Sequence, residues 1–292
     1  MWPQIVFRVG RDQVEPLEDA LFEAGALSVI LKDQQDQPVL EPLPGEIRLW
    51  DLVVLTGLFA QETPPADIVS ALQTAFADAL PAYEFAPLAD QQWERVWMKD
   101  FKPMQFGPSL WICPTHTEPV EPDAVNVRLD PGLAFGTGTH ATTRQCLEWI
   151  GTHDVTGQQM VDYGCGSGVL AVAAALCGAD SVVGIDIDAQ AHLATQENAA
   201  LNGVAEKIHL TTDDGVAANS ADTILANILY QPLMTLGDTF ATIAKPGGSL
   251  VMSGLLVEQT QSISVLYNQW FTLKESRQQD GWALLWFVRN TS

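Results

Sequence analysis

The sequence predicts a doubly wound α/β domain that closes in an antiparallel hairpin and is preceded by a smaller α+β unit. Three observations predict it. From Gln159 onward, short apolar runs alternate with helical stretches, the pattern of a parallel sheet covered by helices on both faces. Glycines at 164, 166 and 168 stand where the first of those strands turns into its helix, and the next strand ends in Asp186, the layout of a nucleotide-cofactor site on an open sheet. The first 90 residues read strand-helix-strand-strand-helix-strand, the order of a ferredoxin-like split βαβ unit.

In the first unit, Ile5, Phe7 and Val9 alternate as in a strand. Val14, Leu17, Leu21 and Ala24 mark a helix that Gly25 stops. Residues 27–31 form a second strand, and a polar, proline-bearing stretch runs on to Gly45. Residues 49–58 form a third strand, Pro64 and Pro65 open a helix to about Leu80, and residues 83–85 close the unit. It holds no catalytic cluster, so residues 1–88 are expected to serve substrate recognition. Residues 89–103 read as a linker helix with Trp93 and Trp97 four apart on one face. An ordinary buried face is favoured there over a hinge.

Residues 104–292 form the expected catalytic domain. Strands at 109–113 and 125–129 precede a loop that ends at His140, and a helix starts near Ala141. The alternating region places strands at 160–163, 181–186, 208–212, 223–227 and 249–253, with helices at 169–177, 189–202, 231–244 and 257–269. Residues 271–278 and 282–289, joined at Asp280-Gly281, read as the hairpin.

Composition narrows the function. An apolar content of 47% suffices for a packed core, and no apolar run of membrane-spanning length occurs. The start, Met1-Trp2-Pro3-Gln4, lacks the marks of an export signal. Cys113, Cys146, Cys165 and Cys177 form no metal-ligand spacing. A cytoplasmic, metal-free monomer without a membrane partner is therefore expected. The net charge of -22 would repel nucleic acid over most of the surface and attract a basic partner. Acidity that only serves solubility fits equally well. Residues 1–90 hold 4 Lys/Arg against 15 Asp/Glu, and residues 91–292 hold 10 against 21. Each part is thus at -11, and the shorter first part is the more acidic per residue.

At the glycine turn the backbone must bend tightly and let a ligand approach without a Cβ in the way. Asp186 can accept hydrogen bonds from the ribose hydroxyls of an adenosine. NAD and S-adenosylmethionine both carry that ribose. The spacing is GxGxG, with Val169 where a dinucleotide pattern needs Gly or Ala, and this, with the closing hairpin, favours S-adenosylmethionine. These features resemble the class I methyltransferase pattern, which implies that Asp162, the acid just before the glycines, holds the amino-acid end of the cofactor; a simple turn-capping acid is the equal alternative. The loop Phe135-Gly136-Thr137-Gly138-Thr139-His140 exposes backbone N–H groups ahead of a helix, but no Lys follows as in a P-loop. Thr142 and Thr143 either cap that helix or reach the cofactor. His140 orients the loop more readily than it acts as a base. Asn227 ends the fourth strand, where its carbonyl can accept a hydrogen bond from an amine. Ile228 and Leu229 then stand where amino-group methyltransferases of the Asn-Pro-Pro-aromatic type have prolines. Tyr230 is expected to pack rather than to face a cation.

The run Leu129-Asp-Pro-Gly-Leu-Ala-Phe-Gly-Thr-Gly-Thr-His140, Thr142-Thr143, Asp162-Tyr-Gly-Cys-Gly-Ser-Gly168, Gly184-Ile-Asp-Ile-Asp188 and Ala226-Asn-Ile-Leu229 resembles the bacterial PrmA family. Members methylate ribosomal protein L11 of the large-subunit stalk base. The resemblance implies a class I methyltransferase (Rossmann-like) fold, S-adenosylmethionine as cofactor, and recognition of the substrate by the N-terminal unit. It implies Thr143, Gly164, Asp186 and Asn227 as the core cofactor contacts, with Gly166, Phe135 and Thr137 beside them. Asn227 is also the expected catalytic residue. Ala141 departs from the Pro expected before the threonine pair. The implied acceptors are lysine ε-amines and the N-terminal α-amine, which react only when neutral. An RNA methyltransferase would need a basic face, a nicotinamide-dependent dehydrogenase would bind NAD, and an adaptor would bind the cofactor and transfer nothing.

Overall fold

The structure is a computed structural model that describes residues 1–34, 50–88, 101–130, 138–212 and 215–291. The chain divides into two compact units, Met1–Trp93 and Glu94–Ser292. Most of the expected linker helix, at 89–100, lies outside the described residues. No helix among the described residues is long and apolar enough to cross a membrane.

The first unit contains β1 (Gln4–Gly10), α1 (Val14–Glu23), β2 (Ser28–Asp33), β3 (Leu52–Leu58), α2 (Pro65–Phe76) and β4 (Tyr83–Phe85). Its sheet order is β2-β3-β1-β4, with every pairing antiparallel. Ile5, Phe7 and Val9 alternate onto one face and bury against Val14, Leu17 and Leu21 of α1 and Ile68 and Leu72 of α2. The end of α1 follows from Gly25, whose φ is +91°. There the Ala26 N–H donates to the Leu21 carbonyl and the Gly25 N–H to the Phe22 carbonyl, a Schellman cap.

The second unit opens with a three-stranded sheet of β5 (Met104–Phe106), β6 (Leu110–Cys113) and β7 (Val125–Arg128). Then come α3 (Ala141–Thr152), β8 (Gln159–Tyr163), α4 (Val169–Leu176), β9 (Ser181–Ile185), α5 (Ala189–Leu201), β10 (Ile208–Thr211) and β11 (Ala221–Asn227). The chain continues through α6 (Tyr230–Leu233), α7 (Gly237–Ile243), β12 (Ala244–Leu256), α8 (Thr260–Tyr267), β13 (Phe271–Gln279) and β14 (Trp282–Arg289). Seven strands form one mixed sheet in the order β10-β9-β8-β11-β12-β14-β13. The pairings from β10 to β12 are parallel. Those of β14 with β12 and β13 are antiparallel. Helix α4, VLAVAAAL, is apolar all round because it is buried nearly all round. Chain order reverses between β8 and β11, so the connections leave their carboxyl ends on opposite faces and open a crevice there.

Three elements differ from the sequence reading. The helix expected at 231–244 is two helices. The Thr235 hydroxyl donates to the Pro232 carbonyl at 2.9 Å, a local bond that competes with the helical ladder. Strand β12 spans 13 residues where five were expected: it starts at Ala244, which pairs with Ala221, and it continues past Gly254 through a bulge between Met252 and Leu255. Strand β5 was not foreseen, since only Phe106 of its three residues is buried and no apolar run marks it.

Tyr267 is fully buried on α8, and its hydroxyl donates to the Leu233 carbonyl of α6 at 2.7 Å. Tyr267→Phe removes that donor and leaves a buried carbonyl unpaired. A loss of about 1–3 kcal/mol is expected, measured as a lower urea midpoint with an unchanged slope.

Candidate active site

The turn between β8 and α4 is held from three sides. Gly164 and Gly168 have φ of +79° and +75°. A Cβ at Gly164 would lie 2.2 Å from Ile228 Cγ2, and one at Gly168 would lie 2.6 Å from Thr195 Cγ2. The N–H groups of Gly164 and Cys165 donate to the Ile185 carbonyl at 2.8 and 2.9 Å. Helix α5 grips the far side: the Thr195 hydroxyl donates to the Gly166 carbonyl at 3.1 Å, and the Asn198 amide to the Ser167 carbonyl at 2.8 Å. Asp186 closes the turn, accepting from the Gly166 N–H at 2.9 Å and the Asp188 N–H at 3.0 Å.

Asp162 sits beneath the turn, 1% exposed. Its Oδ2 accepts from the Ala171 N–H at 3.0 Å, in the first turn of α4. Its Oδ1 is buried without a partner among the described residues. Burial pushes this carboxyl up to about 7, opposed by the Ala171 N–H and reinforced by the Asp186 charge.

Asn227 ends β11 across the crevice. Its Nδ2 donates to the Thr143 hydroxyl at 3.2 Å. Its Oδ1 is buried and has no partner among the described residues. Thr143 lies in the first turn of α3, and His140 caps that helix. The His140 ring accepts from the Thr142 N–H at 3.4 Å and lies edge-on to Trp282, with centroids 5.0 Å apart. His140 thus orients the start of the helix. Tyr230 packs against the core, with its hydroxyl 3.0 Å from Ser262 Oγ.

These elements enclose a cavity of about 470 Å³, the size of a small-cofactor site. Thr143, Gly164, Gly166, Asp186 and Asn227 all line it. Phe135 and Thr137 lie outside the described residues. The sequence reading missed the apolar part of the wall, Ile187, Ile228, Leu229 and Leu236. Ile187 is fully exposed at the rim. An apolar residue directly after a strand-end acid was the available signal, and Ile228 and Leu229 were noted only as replaced prolines. Cys165 also lines the cavity, but burial pushes its thiol up to about 12, so it stays protonated. No His/Cys/Asp/Glu group among the described residues can hold a metal.

Comparison with known proteins decides the family. The match to "Ribosomal protein L11 methyltransferase (PrmA)" runs over residues 1–290. The chain belongs to the PrmA family. A relative in Nitrosococcus oceani, named ribosomal protein L11 methyltransferase, is 46% identical over 285 residues, covering 97% of this chain and 98% of its own length. One of the same name in Methylococcus capsulatus is 46% identical over 293 residues and covers both chains completely. A crystal structure of ribosomal protein L11 methylase from Lactobacillus delbrueckii subsp. bulgaricus is 31% identical, with a TM-score of 0.58, over 65% of this chain and all of that one. Membership in the PrmA family accounts for the α/β fold with its mixed sheet.

The buried Asp162 carboxyl makes stability depend on pH. Its native pKa of about 7 lies above the ordinary value near 3.8, so between the two the native state holds the proton more tightly. The contribution is complete below about pH 4 and is lost as pH rises through about 7. Asp162→Asn keeps the acceptor for Ala171 and removes the titration. The stability difference between wild type and variant is expected to change by roughly 4 kcal/mol between pH 4 and pH 8. Urea unfolding at a series of pH values measures it, and a pH-independent difference would refute the assignment.

Proposed function

We propose that this chain transfers methyl groups from S-adenosylmethionine to amines of ribosomal protein L11, lysine ε-amines and the N-terminal α-amine. The observation that carries the reading is Asn227. It stands at the crossover of the sheet, lines the cavity, and has a buried carbonyl oxygen with no partner among the described residues. Such an acceptor fits an amine N–H. The relatives' names supply the protein acted on.

The wall fits the cofactor. Each Asp186 oxygen keeps a lone pair beyond the one its backbone donor uses, and these suit two ribose hydroxyls. Ile187 offers an apolar surface to a base, and Gly164, Gly166 and Thr143 suit the amino-acid end. The bound cofactor supplies an electrophilic sulfonium methyl. The chain supplies the conditions for attack. At neutral pH only about one lysine in two thousand is uncharged. The apolar wall of Ile228, Leu229 and Leu236 disfavours the ammonium by stripping its water. Asn227, being uncharged, orients the amine without restoring its charge, and the fixed geometry supplies much of the rate. Cys165 stays protonated and Asp186 is committed to the turn, so the amine loses its proton to water.

Residues 1–88 are the proposed recognition unit, built in the ferredoxin-like order. Its acidity suits a basic partner, and α1 presents Glu15, Asp19 and Glu23 to solvent. A monomer working in the cytoplasm, without nucleic acid or membrane, completes the proposal.

Labelled S-adenosylmethionine incubated with large-subunit proteins is expected to mark L11, and label confined to RNA would refute the reading. Asn227→Ala is expected to lower turnover roughly 100-fold at saturating cofactor; full turnover would remove Asn227 from the chemistry. Glu15→Lys with Asp19→Lys is expected to raise KM for L11 about tenfold at low salt, leaving cofactor affinity unchanged, with an effect that fades as salt screens it.

A further inference from the structure

We infer that Thr143 is a positioning residue whose hydroxyl couples occupancy of the cavity to the direction in which Asn227 presents its carbonyl. The inference rests on the proposed methyl transfer and adds a device to it. Thr143 is 1% exposed and lines the cavity, and its oxygen accepts the Asn227 Nδ2–H at 3.2 Å. In that arrangement the Asn227 oxygen is the buried atom left without a partner among the described residues.

A hydroxyl has one hydrogen and two lone pairs, and a primary amide can present either its oxygen or its NH2. Two patterns therefore satisfy the Thr143–Asn227 pair. In one, Thr143 accepts from Nδ2 and the amide oxygen is turned away from Thr143. In the other, Thr143 donates to Oδ1 and the NH2 takes that place. The patterns are not equivalent for an incoming amine. The oxygen accepts an amine N–H and leaves the nitrogen lone pair free to attack. The NH2 would donate to that lone pair and block it.

An anionic group in the cavity that takes the Thr143 hydrogen removes the second pattern, because the hydroxyl then has only acceptor capacity to offer Asn227. The carboxylate of an amino-acid end has this chemistry. Occupancy of the cavity thus sets the amide in the reactive sense before the amine arrives.

The pair cannot drift apart to escape the constraint. Gln145, on the same helix as Thr143, accepts from the Ser253 hydroxyl at 3.2 Å and donates to the Trp282 carbonyl at 3.4 Å. Ser253 is the register partner of Asn227 across β11 and β12. Helix α3 is therefore tied to the strand beside Asn227.

The test compares wild type, Thr143→Val and Thr143→Ser in the full chain, with asparagine side chains labelled with 15N. Addition of S-adenosylhomocysteine is expected to lock the Asn227 side-chain NH2 signals into one orientation in wild type and Thr143→Ser, and to leave them exchanging between two orientations in Thr143→Val, whatever shift binding itself causes. At saturating S-adenosylmethionine, kcat for Thr143→Val is expected to fall at least about tenfold, with Thr143→Ser within about threefold of wild type. A Thr143→Val enzyme with wild-type kcat at saturation overturns the inference. So does one whose kcat falls while its Asn227 side-chain signals still lock into one orientation on binding. Wild type that binds no S-adenosylhomocysteine overturns the methyl-transfer reading itself.

Discussion

Ile228 is a wedge between two glycines, and the site is arranged around it. A Cβ on Gly164 would meet its side chain at 2.2 Å, and a Cβ on Gly254 would meet its carbonyl oxygen at 2.2 Å. Both glycines have positive φ, +79° and +84°, so neither position tolerates a larger residue on backbone or steric grounds. The segment leaving β11 is thereby pressed against the turn leaving β8. That contact brings Asn227 and the glycine turn to one cavity, and it aligns the carboxyl ends of two strands that lie 64 residues apart in Gly164 and Ile228.

The support for this contact comes from far along the chain. Helix α3 carries Thr143 and is capped by His140, and both depend on the C-terminal strands. Trp282 lies against His140, its carbonyl accepts from Gln145, and the single Ser253 hydroxyl hydrogen is shared between Gln145 Oε1 at 3.2 Å and the Ala283 carbonyl at 3.1 Å. The antiparallel strands therefore do more than close a sheet edge. They hold the helix whose first turn touches Asn227. Gln145 and Ser253 are buried, where leaving a polar group unpaired is costly, so these bonds restrict where the helix can sit.

Electrostatics sharpen the same geometry. Asp162 and Asp186 approach the turn from below and from the side, both through backbone N–H groups. Asp162 is deeply buried and is pushed to about 7, with Asp186 contributing to the rise, while Asp186 is half-buried and open to the cavity. Burial divides their positions: Asp162 bonds the first turn of α4 and Asp186 lines the cavity. Among the described residues no basic side chain lines the cavity, which suits a reaction whose acceptor must shed its own positive charge.

The sequence by itself determined the alternation of strands and helices, the glycine turn, Asp186 and Asn227. These are short-range patterns: spacing within a turn, or a residue's place at the end of a strand. The glycine-rich loop drew attention to Thr142 and Thr143 alike, and only the resemblance to the PrmA family singled out Thr143. Only the tertiary structure decided that Thr143 bonds Asn227, 84 residues away, and that Gln145 bonds the Trp282 carbonyl, 137 residues away. It also decided that Ile228 fills the space two glycines leave, that the helix after Asn227 breaks at Thr235, and that Ile187 forms the apolar rim. Spacing along a chain encodes local geometry, but which distant side chains meet is set when the strands pair and the helices pack.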